Sequence, residues 1–262
     1  MIGLGGLDPL TAFRVAETTR DGQIEALRER PTHARAIAAI RERGGAPLDA
    51  AAFVADAELY AATMVAFGLE DRIFGKGMMR KVLASDAADP ESLVNRLSDP
   101  RFRSMHAALG FGAGDVPRLG QPTVQEAVVD RYLARRFTDG VTEQSAPVGA
   151  ALAFREAAPG LGTAYDILRD PELSTVVRTA LGIPAAAAGI DIDRQAQMIE
   201  ARLDLSTLAE PEAVDRLLRK YLVLSGVTAG PSPAAAGVLS LLSGPQAGGL
   251  IEIASIYAAR RG

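Results

Sequence analysis

Apolar side chains recur three and four residues apart along most of this chain, the spacing of helices that bury one face. Leu10, Phe13, Ile24 and Leu27 mark the first such stretch, 8–30, which Asp8-Pro9 opens and Pro31 closes. A second runs over 32–43, with Ile37 and Ile40 on one face and Arg35, Arg41 and Arg43 off it. Gly44, Gly45 and Pro47 mark a turn, and 48–55 reads as a short helix. Further helices are predicted over 70–84, 91–98, 123–137, 146–157, 163–169, 191–203 and from Pro211 to near Leu224. No segment alternates with period two over a useful length, so essentially no sheet is expected.

One pattern occurs three times. Residues 56–69 (DAELYAATMVAFGL), 99–111 (DPRFRSMHAALGF) and 170–183 (DPELSTVVRTALGI) each open on Asp, carry a bulky apolar residue three places on, and close on apolar-Gly-apolar. Asp is a preferred N-cap, because its carboxylate accepts from the free N–H groups of the first turn. Pro100 and Pro171 occupy the first helical position, whose N–H has no intrahelical acceptor. Gly68, Gly110 and Gly182 suit the left-handed residue that ends a helix, with Leu69, Phe111 and Ile183 supplying the apolar contact of a Schellman cap. Positive φ is therefore expected at all three glycines. A second element recurs as LVNRL (93–97), VVDRY (128–132) and AVDRL (213–217). Its irregular spacing suits degenerate helical repetition better than a regular solenoid.

The expected fold class is all-α: a multi-helix bundle of degenerate capped-helix repeats. Residues 1–225 form the helical domain. The Gly- and Pro-rich segment 112–122 is its candidate internal boundary, giving subdomains of about 1–112 and 121–225. From Gly226 to 262 the chain reads as a flexible Gly/Ala/Pro/Ser linker with an apolar C-terminal segment, strongest at 238–242 and 250–259.

Composition narrows the function classes. A net charge of −4 argues against a nucleic-acid partner, which would favour a basic excess. The absence of Cys removes disulfides, thiolate nucleophiles and cysteine-ligated zinc. No stretch approaches the roughly 18 apolar residues of a membrane span, so no membrane insertion is expected. The N-terminal MIGLGGLDPL has neither the charged nor the apolar region of a secretory leader, and the expected location is the cytoplasm.

Candidate chemistry is sparse. Of the two histidines, His106 falls at the cassette offset held by Thr63 and Val177, on the expected core side, and His33 falls in a first helical turn at the surface. Glu70-Asp71 and Asp191/Asp193 sit at helix starts, where negative charge meets the helix dipole favourably. Gly75-Lys76-Gly77 lacks the Ser or Thr and the upstream Gly of a phosphate loop, and the glycines at 110, 112 and 114 follow a helix, not a strand. No catalytic, cofactor-binding or metal site is assigned and no cofactor is expected. The cationic clusters Arg131/Arg135/Arg136 and Arg216/Arg219/Lys220 match each other through the second recurring element, and read as solvated faces or a partner-binding edge.

Several separated runs resemble one known family. They are YAATMVAFGLED (60–71), KVL (81–83), NRLSDPRFR (95–103), VVDRYLARRF (128–137), ILRDPELSTVVRTALGIP (167–184) and DIDRQAQMIEARL (191–203). Together they are similar to the domain of unknown function 1217 family, over about residues 8–224. The resemblance implies a helical alphaproteobacterial protein, often encoded beside flagellar genes, and brings no catalytic residues with it. The expected function is a non-enzymatic helical interaction protein in flagellum assembly or motility, with a flagellar component as its protein partner. The C-terminal segment is a candidate for homo-oligomer contacts, and a signal-less flagellar route is the alternative to a cytoplasmic location. The alternative function is a helical domain binding a small apolar ligand among its scattered Met side chains (Met64, Met78, Met79, Met105, Met198).

Overall fold

The computed structural model describes residues 3–46, 49–112 and 117–228. Thirteen α-helices and no strand are found among them, so the protein is all-α. In chain order the helices are α1 Pro9–Arg28, α2 Pro31–Ala38, α3 Ala50–Ala55, α4 Ala57–Ala66, α5 Lys76–Leu83, α6 Leu93–Arg96 and α7 Pro100–Leu109. They continue with α8 Pro122–Gln144, α9 Ala146–Ala157, α10 Ala164–Leu168, α11 Pro171–Ala180, α12 Ile192–Glu200 and α13 Pro211–Thr228. No helix among the described residues is long and apolar enough to cross a membrane.

The described residues form two compact units, one within residues 18–140 and one of residues 3–17 together with 141–228. The division therefore falls inside α1 and α8, and differs from the boundary expected at 112–122. The physical reason lies in Leu119. It is fully buried in the short turn Arg118–Gly120, which packs so close to Gly44 that a Cβ there would lie 3.2 Å from the leucine Cγ. That part of the Gly/Pro segment belongs to the first unit's core; residues 113–116 lie outside the described residues.

In the first unit the cassettes 56–69 and 99–111 are the ten-residue helices α4 and α7. Asp56 accepts from the Leu59 N–H at 3.1 Å and Asp99 from the Arg101 N–H at 3.0 Å. Gly68 and Gly110 end them at φ of 65° and 66°. After α4 the Leu69 N–H reaches Met64 O at 2.8 Å and the Gly68 N–H reaches Val65 O at 2.9 Å, the paired bonds of a Schellman cap. Leu59, Tyr60, Met64, Met79, Leu83, Met105 and Phe137 fill the core, with Phe53 set edge-on to Tyr60 and 5.3 Å from Phe111 between ring centres. Two predicted helices shrink. Over 70–84 the chain makes a turn at Glu70–Arg72, exposes Phe74, and restarts as α5 at Lys76. Over 91–98 only α6 forms: Asp89 holds the Glu91 N–H in a turn before it, and Leu97 is already extended after it, at φ −71° and ψ 128°.

In the second unit the cassette 170–183 is α11. Asp170 accepts from the N–H groups of Glu172 and Leu173, Gly182 has φ 64°, and the Ile183 N–H closes on Arg178 O at 2.8 Å. Thr163 and Asp166 form a reciprocal capping box at the start of α10. Val148, Ala151, Phe154, Ile167, Val176, Val177, Leu218 and Leu222 are buried. Gly149 sits against α8: a Cβ there would lie 2.7 Å from the Thr142 Cβ, so no larger residue fits without a shift. Helix α13 continues through Thr228, past the Leu224 end and the Gly226 linker start expected for it. Gly226 packs near Pro9, where a Cβ would stand 3.2 Å from the proline Cδ. Residues 229–262, including 238–242 and 250–259, lie outside the described residues.

Candidate functional site

The two cationic clusters occupy equivalent stretches of α8 and α13, and their surroundings differ. On α8, Arg131 lies over the Phe67 ring at 5.2 Å, a cation–π contact. Arg135 bridges Glu70 and Asp139, with nitrogen–oxygen distances of 3.0 Å to each. Arg136 reaches the same Asp139 at 3.1 Å and lies over the Tyr132 ring at 5.5 Å. The Tyr132 hydroxyl is 3.0 Å from Nδ1 of His33. A continuous polar chain thus runs from His33 through Tyr132, Arg136, Asp139 and Arg135 to Glu70. Its second Glu70 oxygen, Oε2, is buried without a hydrogen-bond partner. Burial pushes the Asp139 carboxyl above the usual carboxylate range; Arg135 and Arg136 oppose that and Glu70 adds to it. Burial likewise holds the His33 imidazole below its ordinary value, and the charges of Arg136 and Arg30 act in the same direction.

On α13 the cations have no such company. Arg216, Arg219 and Lys220 are exposed, and none has an ion-pair partner among the described residues. The same face continues with Val223, Leu224 and Val227, which are 51%, 40% and 75% exposed. Counted from Arg216 these six positions are i, i+3, i+4, i+7, i+8 and i+11, a single stripe along the helix. The opposite face, Val214, Leu217, Leu218, Tyr221 and Leu222, is buried. Helix α13 packs against α9 and α11, so its inward side is fixed and its outward side is basic at one end and apolar at the other. Asp215, from the same recurring element, pairs with Arg155 of α9, as Asp130 pairs with Arg28 of α1 at 3.2 Å.

The remaining sequence candidates resolve individually. His106 is buried and its Nε2 lies 2.9 Å from Ser85 O, a satisfied core position. Thr63, at the same offset of its cassette, donates to Leu59 O at 2.8 Å. His33 is half-buried against Tyr132, not at the open surface as expected. Asp191 is the N-cap of α12 and accepts from the N–H groups of Asp193 and Arg194. Among the described residues no three His, Asp or Glu side chains converge as a metal site would require. Met64, Met79 and Met105 are fully buried in the first unit, and Met198 lines a crevice with Leu168, Ile183 and Ile199 in the second. That crevice offers about 0 Å³ to a water-sized molecule.

One surface escaped the sequence reading. Tyr165, Ile190 and Ile192 are 41%, 40% and 50% exposed at the start of α10 and of α12. The Tyr165 hydroxyl donates to Asp193 at 2.8 Å. Isolated apolar residues in connectors give no periodic signal, so only the packing of α10 on α12 draws them together.

No curated protein matches the chain in sequence. In structure it is similar to the X-ray crystal structure of Protein AGR_C_984 from Agrobacterium tumefaciens, with 29% identity and a TM-score of 0.73 over 82% of this chain and 91% of that one. In sequence it matches a family described as "protein of unknown function (DUF1217)" over residues 66–214. That span takes in Glu70, all of α8 and the Tyr165 surface, and stops two residues short of Arg216. Since it covers more than half of the 262 residues, the chain belongs to the DUF1217 family.

Proposed function

We propose that this protein acts without catalysis, as an interaction protein that binds another protein through the outward face of α13, in flagellum assembly or motility. The observation that carries the reading is the stripe Arg216, Arg219, Lys220, Val223, Leu224, Val227, in which unpaired cations run into exposed apolar side chains on one fixed helix face. An amphipathic helix face of this kind recognises a partner by burying its apolar anchors and steering with its charges. The flagellar part is supported by the family resemblance.

The test is genetic and biochemical together. A strain lacking the gene is expected to swim poorly or to build abnormal filaments, and normal motility with normal filaments would remove the flagellar part. The full-length Arg216→Glu/Val227→Glu chain is expected to lose the partners that the wild-type chain captures from its host. Unchanged capture would remove the α13 face.

A further inference from the structure

The basic, apolar stripe of α13 has a chemical complement within the second unit itself. Tyr165 of α10 and Ile190 and Ile192 at the start of α12 are exposed where the two helices pack, and the Tyr165 bond to Asp193 ties them; the carboxylates Asp191, Asp193 and Glu200 on the same elements are exposed as well. Arg194 is a cation on the same turn, and Glu212 begins the α13 face one turn before Arg216. The balance nonetheless differs in sign. The Tyr165 hydroxyl is pushed above the ordinary phenol value, first by its bond to Asp193 and then by burial and the nearby charges of Asp193, Glu200 and Asp191. Arg169, one turn after Tyr165, is paired with Asp166, so Asp191, Asp193 and Glu200 face the single cation Arg194 and that surface is acidic, whereas three cations lead into the apolar end of the α13 stripe. Helix α11 packs against both α10 and α13, so the two surfaces belong to different elements of one unit.

We propose that the partner of the α13 stripe is a second copy of this chain, which receives it on the Tyr165, Ile190 and Ile192 surface. The inference rests on the reading of α13 as a contact face and names its occupant. Val223, Leu224 and Val227 cover the three apolar residues of the neighbouring copy, and Arg216, Arg219 and Lys220 face its carboxylates. The contact joins two different surfaces, so it is head-to-tail. It leaves one surface of each kind free at the ends and continues until a ring closes or a chain extends. Charge pairing at its rim makes it sensitive to salt.

Sedimentation velocity on the full chain tests this. The expected result is an average mass that rises with protein concentration and falls as salt is raised. Arg216→Glu/Arg219→Glu disables the stripe and Asp193→Lys/Glu200→Lys disables the receiving surface; each variant is expected to sediment as a monomer while melting cooperatively. An equimolar mixture of the two is expected to form assemblies that stop at two chains, since each variant keeps one intact surface. If either double variant fails to melt cooperatively, Val227→Glu and Ile192→Glu take their places. A wild-type chain that stays monomeric at every concentration overturns the proposal, and so does association that survives the substitutions. A monomeric wild type whose Arg216→Glu/Val227→Glu form still loses its host partners would end the self-association while leaving α13 as a contact face.

Discussion

Helices α8 and α13 carry the same short sequence, an Asp-Arg pair followed by apolar residues and two more cations, and they use it in opposite ways. The aspartates behave alike, since Asp130 and Asp215 each hold an arginine from a neighbouring helix. The cations diverge. In α8 the second and third cations are four and five residues after Arg131, and Asp139 stands eight after it; in α13 they are three and four residues after Arg216, and the eighth position is Leu224. A carboxylate placed one turn on draws Arg135 and Arg136 down onto the helix, and Glu70 completes the set. A leucine in that place leaves Lys220 and its neighbours in water and exposes an apolar side chain beside them. One helix has turned its cations into internal structure, and the other presents them. A recurring motif therefore says little about function until its partners are known.

The comparison is tested hardest by removing matched cations. Arg135→Ala leaves Glu70 and Asp139 facing each other half-buried, with one oxygen of Glu70 already unpartnered. A loss of about 2 kcal/mol is expected in urea unfolding. Lys220→Ala removes an exposed cation with no ion pair, and should stay within about 0.5 kcal/mol of wild type. Equal losses in the two variants would mean that α13 is as internally committed as α8.

The caps give the next effect. Gly68 turns the chain so that Glu70 can reach α8, while Gly182 ends α11 with nothing within 4 Å of its would-be Cβ. Gly68→Ala and Gly182→Ala should each cost about 1 kcal/mol from the left-handed backbone alone. Gly110→Ala should cost more, because its Cβ would meet the Arg118 Cγ at 2.7 Å. If the α8 network depends on the Gly68 turn, Gly68→Ala and Arg135→Ala should fall short of additivity in the double variant, while Gly182→Ala and Arg135→Ala should add.

What the sequence made legible follows from the range of each signal. The capped cassettes are local: Asp, Pro and Gly act on the backbone within a turn of themselves, so α4, α7 and α11 and the three left-handed glycines could be read directly. His106 was legible for the same reason, since its offset within the cassette fixes its side of the helix. The helix over 70–84 misled because Ile73, Met78, Val82 and Leu83 carry helical spacing while the helix breaks at Gly75, between the first two of them. The 112–122 boundary misled because glycine and proline mark turns without saying whether a turn is packed, and Leu119 packs this one. The fates of the two cationic clusters lay partly beyond the sequence. The local difference, Asp139 against Leu224, is in the chain, but what settles Arg135 is also Glu70 arriving from 65 residues away, a distance no periodicity spans.

Acidity separates the two helices again. His33 rests on Tyr132 of α8, and its folded-state pKa lies below the ordinary value, mainly through burial. The unfolded chain therefore binds the proton more readily than the folded one. This contribution to stability is complete above pH 6.5, near the unfolded value, and is lost as pH falls through the depressed folded pKa. Urea midpoints measured from pH 7.5 downward should show that loss in wild type and not in His33→Gln, while Arg216→Ala on α13 should leave the profile unchanged. A profile identical in wild type and His33→Gln would disconnect the α8 network from pH.

The smallest effect on stability is the most informative about function. Leu224→Asp puts into α13 the carboxylate that α8 has at Asp139, four residues after Lys220 and within reach of its ammonium. The gain from such an exposed pair is a few tenths of a kcal/mol, and the lost leucine is already 40% exposed, so the unfolding free energy should move by less than about 0.5 kcal/mol. Binding should respond differently. The substitution removes one apolar anchor from the centre of the stripe and neutralises part of its charge, and both the capture of host partners and any self-association should fall by at least tenfold, a change of about 1.4 kcal/mol. If Leu224→Asp binds as wild type does, then the difference between the two helices is one of packing alone, and the outward face of α13 is a solvated surface like any other.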